Sequence, residues 1–132
     1  MNKNYLLSAA GCFLSEVISE VINIELNGEN KSGIFDDISH AYSGATTYLV
    51  ARAVLSDKIK RKGDYMLSSI LAYSLYDLVK YYTSSLQISP EQTARNIATG
   101  IIGTIIAYGA DKIISKINDK KSKLEKMIDN FR

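Results

Sequence analysis

The chain contains a single histidine, His40, and the acidic pair Asp36-Asp37 lies about one helical turn before it. An aspartate and a histidine four residues apart share one face of a helix. Asp77, in the next predicted helix, joins them if the two helices pack side by side. Asp36, Asp37, His40 and Asp77 therefore form the candidate polar cluster. It supports two kinds of chemistry: a proton-responsive group, or a contact with a charged headgroup. The plainer alternative is structural, a capping aspartate beside a histidine at a helix end. Metal binding is not expected, because a metal centre takes three or four ligands and one histidine with scattered carboxylates does not supply them.

Other residues with chemical potential lack the context that activates them. Cys12 sits in an apolar run beside Gly11 and Phe13, the setting of a buried small hydrophobe rather than of a thiolate. Ser8, Ser68, Ser69 and Ser74 have no nucleophile-elbow pattern around them. Gly100-Ile101-Ile102-Gly103 follows no strand and precedes no Lys-Ser/Thr, so it is not a phosphate loop. No catalytic residue and no cofactor is expected.

Four helical segments must position these groups. The first runs from about Tyr5 to Leu26, with Leu6, Ala10, Phe13, Val17, Val21 and Ile24 at spacings of three and four. It stops at Asn27-Gly28-Glu29-Asn30, residues that tolerate a helix C-terminus. No cleavable leader is expected there, since the helical period continues past the apolar run. The second runs from Asp36 or Asp37 to about Lys60, ending at Gly63. The third starts with Asp64 as its cap and reaches about Ser85. Ser89-Pro90-Glu91-Gln92 is the clearest start signal, combining an N-cap serine, a proline at the first position and a capping-box glutamine.

The fourth helix has no strong breaker. Asn96, Gly100, Gly103, Ala107, Ala110, Ile114, Ile117, Lys121, Leu124, Ile128 and Phe131 step by four and three along 36 residues, about 54 Å of helix. The first five are candidates for close helix packing, because small residues let backbones approach. Ile114, Ile117, Leu124, Ile128 and Phe131 form a coiled-coil seam suited to self-association. The fold expected is all-α: four antiparallel helices, the last overlong, with a bundle core over 1–110 and a basic amphipathic extension over 111–132.

Charge is distributed unevenly over these elements. Residues 1–50 hold six acids and two lysines, whereas residues 51–132 hold fourteen basic residues and eight acids. The basic residues gather in the Asp57–Lys62 turn and in the tail after Lys112. Neither cluster is interleaved with aromatic residues, so nucleic acid is not expected as a partner. With four crossings, Lys3, the basic turn and the tail fall on one side and the acidic 25–37 loop on the other, the positive-inside pattern. Nine tyrosines, seven of them between Tyr42 and Tyr82, suit either a bilayer interface or a protein interface.

Two environments remain open. The uncharged runs, fifteen residues from Asn96 to Ala110 and twelve from Tyr65 to Tyr76, are shorter than the roughly 20 residues of a spanning helix. Against that, residues 97–110 are apolar on every face, as in a helix that is fully buried or faces lipid. The first expectation is a non-catalytic membrane protein with cytoplasmic termini, partnered by the lipid bilayer and by copies of itself. The alternative is a soluble structural or assembly subunit, such as a virion component, that buries helix four in a homo-oligomer.

One resemblance covers roughly Asp36 to Ala110. Asp36/Asp37 followed by His40 and Gly44, then Tyr76-Asp77, then Asn96, Gly100 and Gly103, resembles the VanZ-like and YfiM-like small helical membrane proteins. The resemblance implies a compact membrane bundle with an envelope-related role, and it implies no particular reaction.

Overall fold

The structure, a computed structural model, describes residues 10, 11, 13, 14, 16–18, 21, 34–83 and 88–131. The described residues are all-α and form four helices, the last the longest. Helical residues between 10 and 21 belong to α1; α2 is Ile34–Leu55, α3 is Lys62–Thr83 and α4 is Pro90–Asp129. No strand occurs among the described residues. Cys12 lies outside them.

Local chemistry sets the helix ends. Ser89 caps α4 from an extended conformation, and its hydroxyl accepts from the Gln92 amide at 3.1 Å, with Pro90 in the first turn. α2 ends at Leu55, about five residues before the end that the hydropathy pattern predicts. The amides of Lys58 and Ile59 both turn back to the Leu55 carbonyl, at 2.9 and 3.0 Å, and the Tyr65 hydroxyl donates to the Leu55 and Ile59 carbonyls. A longer α2 would stack the like charges of Lys58, Arg61 and Lys62 at adjacent positions, which opposes a helix. The tyrosine instead satisfies the carbonyls that the helix end leaves open.

Side-chain pairings fix how the helices lie. Gly44 meets Gly100, Thr104 donates to the Gly44 carbonyl, Tyr48 stacks edge-on against Tyr108, and Arg52 reaches Asp111. Numbering thus rises together along α2 and α4. α3 meets both in the opposite sense: Lys62 near its start bonds Ser115, and Tyr73 further along touches His40 and packs on Gly100.

The α2–α4 contact is made of backbone. A Cβ on Gly44 would overlap the Gly100 carbonyl, and one on Gly103 would overlap the Ala41 carbonyl. Only glycine permits this approach. Thr104, fully buried, bonds the Gly44 carbonyl at 3.1 Å and the Gly100 carbonyl at 2.9 Å, one hydroxyl shared between two helices.

Beside an apolar cluster of Tyr48, Ala51, Leu55, Tyr65 and Ala107, much of the interior is polar, while most large aliphatic side chains face outward. On α3 the buried residues are Tyr65, Ser69, Tyr73 and Asp77, one face at a spacing of four. The outward positions include Leu67, Leu71, Leu75 and Leu78. On α2, Ser39, His40, Ser43 and Thr47 are buried while Ile34, Ile38 and Leu49 are exposed. Ser43, Thr47 and Ser69 each donate to a carbonyl four residues earlier, at 3.1, 2.8 and 2.7 Å. A hydroxyl that bonds its own helix has its donor satisfied and can be buried at little cost.

Candidate functional site

Two clusters of ionisable side chains occupy opposite ends of this polar interior. The first is built from α1, α2 and α3. Early in α2, Asp36 and His40 share a face, with His40 Nε2 at 3.4 Å from Asp36 Oδ1. The other ring nitrogen, Nδ1, lies 2.9 Å from the Tyr73 hydroxyl and 3.8 Å from Glu16 Oε2. Lys80, one turn beyond Asp77, donates to Glu16 Oε1 at 3.0 Å. Glu16, His40, Tyr73 and Asp77 are all at least 94% buried.

Among the described residues, this end also gathers the buried oxygens without a hydrogen-bond partner: Glu16 Oε2, Asp37 Oδ1, Asp77 Oδ2 and Asn96 Oδ1. A buried acceptor without a donor costs on the order of 1–3 kcal/mol. Beside the cluster an open cavity of about 250 Å³ is lined by Asp36, Ser89, Glu91, Gln92 and Arg95. Asp36 therefore touches both the cavity and the buried histidine.

The second cluster joins α2, α3 and α4 at the other end. Asp111, 4% exposed, accepts from the Tyr48 hydroxyl at 2.7 Å and from Arg52, with Lys62 Nζ at 3.8 Å. Ser115 donates to the Asp111 carbonyl at 2.9 Å and accepts from Lys62. Asp111 thus reaches Tyr48 and Arg52 of α2, Lys62 of α3 and the next turn of α4. It is a clamp, with its carboxylate fully engaged.

The residues read from the sequence fall as follows. Asp36 and His40 are in contact; Asp77 is buried at the same end, one turn after the His40 partner Tyr73; and Asp37 is half-buried in the first turn of α2. Asn96 is half-buried, Gly100, Gly103 and Ala107 are buried, and Ala110 is exposed, with Asp111 the buried residue one step on. Ile114, Ile117, Lys121, Leu124, Ile128 and Phe131 are all exposed. Among the described residues no group of three His, Cys, Asp or Glu side chains is disposed to hold a metal ion.

Glu16, Tyr73 and Lys80, and the whole of the second cluster, do not stand out in the sequence as site residues. One signal was present. Tyr65, Ser69, Tyr73 and Asp77 repeat every four residues, which marks a polar face even though the adjoining leucines form the more conspicuous stripe.

No family model, curated protein or solved structure matches the chain. One helix, Pro90–Asn130, is long and apolar enough to cross a membrane, and 28% of its most apolar window is buried within the chain.

Proposed function

We propose that the chain is a small, non-catalytic membrane protein, a helical bundle in the lipid bilayer that associates with its own copies through the exposed end of α4. The observation that carries this reading is the inverted distribution of side chains. Tyr, Ser, Thr, Gly and paired charges make up much of the interior beside a small apolar cluster with Ala51, Leu55 and Ala107, while Leu67, Leu71, Leu75, Ile102, Ile105 and Ile106 face outward. In water such an exterior would be an extended apolar patch. In hydrocarbon it is the favoured arrangement, with small and hydroxyl-bearing residues between the helices.

Charge placement supports the orientation with cytoplasmic termini. Lys58, Lys60 and Arg61 are exposed at the end of the bundle where Lys62 meets Ser115. The lysine-rich part of α4 leaves the bundle at that same end. An envelope-related role is part of this proposal and rests on the resemblance of the Asp36–Ala110 region to VanZ-like and YfiM-like proteins.

The second reading is a soluble assembly subunit whose apolar faces are covered by other copies. What favours it is the exposed Ile114, Ile117, Leu124 and Ile128 seam, which continues past the apolar part of α4. Carbonate washing of fractionated cells separates the two. The membrane reading requires recovery in the washed pellet, and a discrete oligomer in the supernatant overturns it in favour of the second.

A further inference from the structure

Among the described residues, the first ionisable cluster holds more negative charge than its neighbours neutralise. Glu16 and Asp77 are 3% and 4% exposed, and Asp36 is largely covered. Against these three carboxylates stand one ammonium, Lys80, and one imidazole, His40. Fully ionised, these three carboxylates would leave the cluster at −2 with a neutral histidine and −1 with a charged one, and half-buried Asp37 at the same end adds one more negative charge. Buried charge that is not paired is strongly disfavoured in a protein interior. Added protons remove that deficit.

The geometry indicates where they would sit. Both ring nitrogens of His40 face oxygen atoms: Nε2 faces Asp36, and Nδ1 faces the Tyr73 hydroxyl and Glu16. A neutral ring with the hydrogen on Nε2 donates to Asp36 and accepts at Nδ1 from the Tyr73 hydroxyl, so His40 links Asp36 at the cavity to the buried groups. Asp77 Oδ2 is buried with no donor in the chain, and a carboxylic acid at that atom becomes a donor itself. The other three unpartnered buried oxygens, on Glu16, Asp37 and Asn96, are acceptors of the same kind. By contrast, the Asp111 carboxylate at the far end has a donor on each oxygen.

We propose that Glu16, His40, Asp77 and Lys80 form a proton-binding site that fills from the Asp36 end of the bundle. A proton from water in the Asp36 cavity joins Asp77, converting carboxylate to carboxylic acid with no other bond changed. The groups facing the site are Glu16 from α1; Asp36, Asp37 and His40 from α2; and Tyr73, Asp77 and Lys80 from α3. α4 contributes Asn96 at this end, with Glu91 and Arg95 on the cavity wall. Their opposite charges leave the cavity without a net charge from α4. The site is enclosed by the chain itself, so it holds whether lipid or other copies cover the outer faces.

Difference infrared spectroscopy of the purified full chain tests the site between about pH 5 and 8. The wild type should show a protonated-carboxyl band that grows as pH falls. Asp77→Asn should abolish that band, and Asp119→Asn, on the exposed part of α4, should leave it unchanged. Glu16→Gln should move the pH at which the band appears. If circular dichroism shows that Asp77→Asn does not fold, the Glu16→Gln shift decides alone. A wild-type band that is absent or constant across this range overturns the proposal, as does a band that survives Asp77→Asn or is unmoved by Glu16→Gln.

Discussion

Asp111 shows how much of this fold depends on single buried contacts. Its carboxylate accepts from Tyr48 on α2 through one oxygen and from Arg52 through the other, with Lys62 of α3 beside it. Removing one partner of a buried pair leaves the remaining charge and hydroxyl unsatisfied, which costs more than the pair itself contributes. Arg52 is 39% exposed in its side chain and can recover some hydration, which tempers the loss. Asp111→Ala should therefore lower stability by about 2–3 kcal/mol. Asp111→Asn should cost less, because its amide oxygen still accepts from Tyr48. Reversible unfolding in detergent measures both, and equal losses for the two variants would show that charge, not hydrogen bonding, holds the clamp. This residue was not legible in the sequence. A strict three-four step runs from Ala107 to Ala110 and Ile114, but a straight helix drifts from that step, and burial passes to Asp111. Glu16 was hidden for a different reason: its partners His40 and Lys80 are 24 and 64 residues away, and only the packing of three helices brings them together.

At the scale of the helix, the sequence was clearest where chemistry is local. Ser89 and Pro90 start α4 where their types require, and the small residues Gly44, Gly100 and Gly103 do form the close contact between helices. What the pattern did not convey was which face of α3 turns inward. A stripe of leucines at positions 67, 71, 75 and 78 reads as core in a soluble bundle, yet here Leu71 is 71% exposed and Ser69 fully buried. Periodicity reports that a helix has two faces; the medium decides which one is inside. Two substitutions use that distinction. Leu71→Asp places a charge on the outward face of α3, costing on the order of 3 kcal/mol at bilayer depth. It should sharply reduce recovery in the carbonate-washed membrane pellet. Ile117→Asp lies on the exposed part of α4, where it should weaken self-association while leaving membrane recovery intact. Light scattering of the purified protein measures the second effect. An oligomer unchanged by Ile117→Asp means that the seam of α4 is not the interface.

For the molecule as a whole, the proposed membrane reading makes the arrangement of charge along the bundle the feature that would set its orientation. α2 and α4 share one sense and α3 the other, so the start of α2, the end of α3 and the start of α4 lie together. His40, Asp77 and Lys80 belong to that end, together with the Asp36 cavity. The opposite end carries Arg52, Lys58, Lys60, Arg61 and Lys62, and from it α4 continues as an exposed helix bearing Lys112, Lys116, Lys120, Lys121, Lys123 and Lys126. Lysine and arginine near the ends of spanning helices are retained on the cytoplasmic side, so the two ends are chemically unequal before any partner is considered. Single cysteines in a Cys12→Ser background convert this into a measurement. Ser56→Cys, in the basic turn, and Ser122→Cys, in the exposed part of α4, should be protected from a membrane-impermeant maleimide in intact cells and labelled once the membrane is opened. Ser89→Cys, at the cap of α4 and on the cavity wall, should be labelled in intact cells. Labelling of all three positions before opening would remove the bilayer from the picture. Labelling of Ser56→Cys and Ser122→Cys with protection of Ser89→Cys would instead keep the bundle in the membrane and reverse it, placing the Asp36 cavity, and the proton site behind it, on the cytoplasmic side.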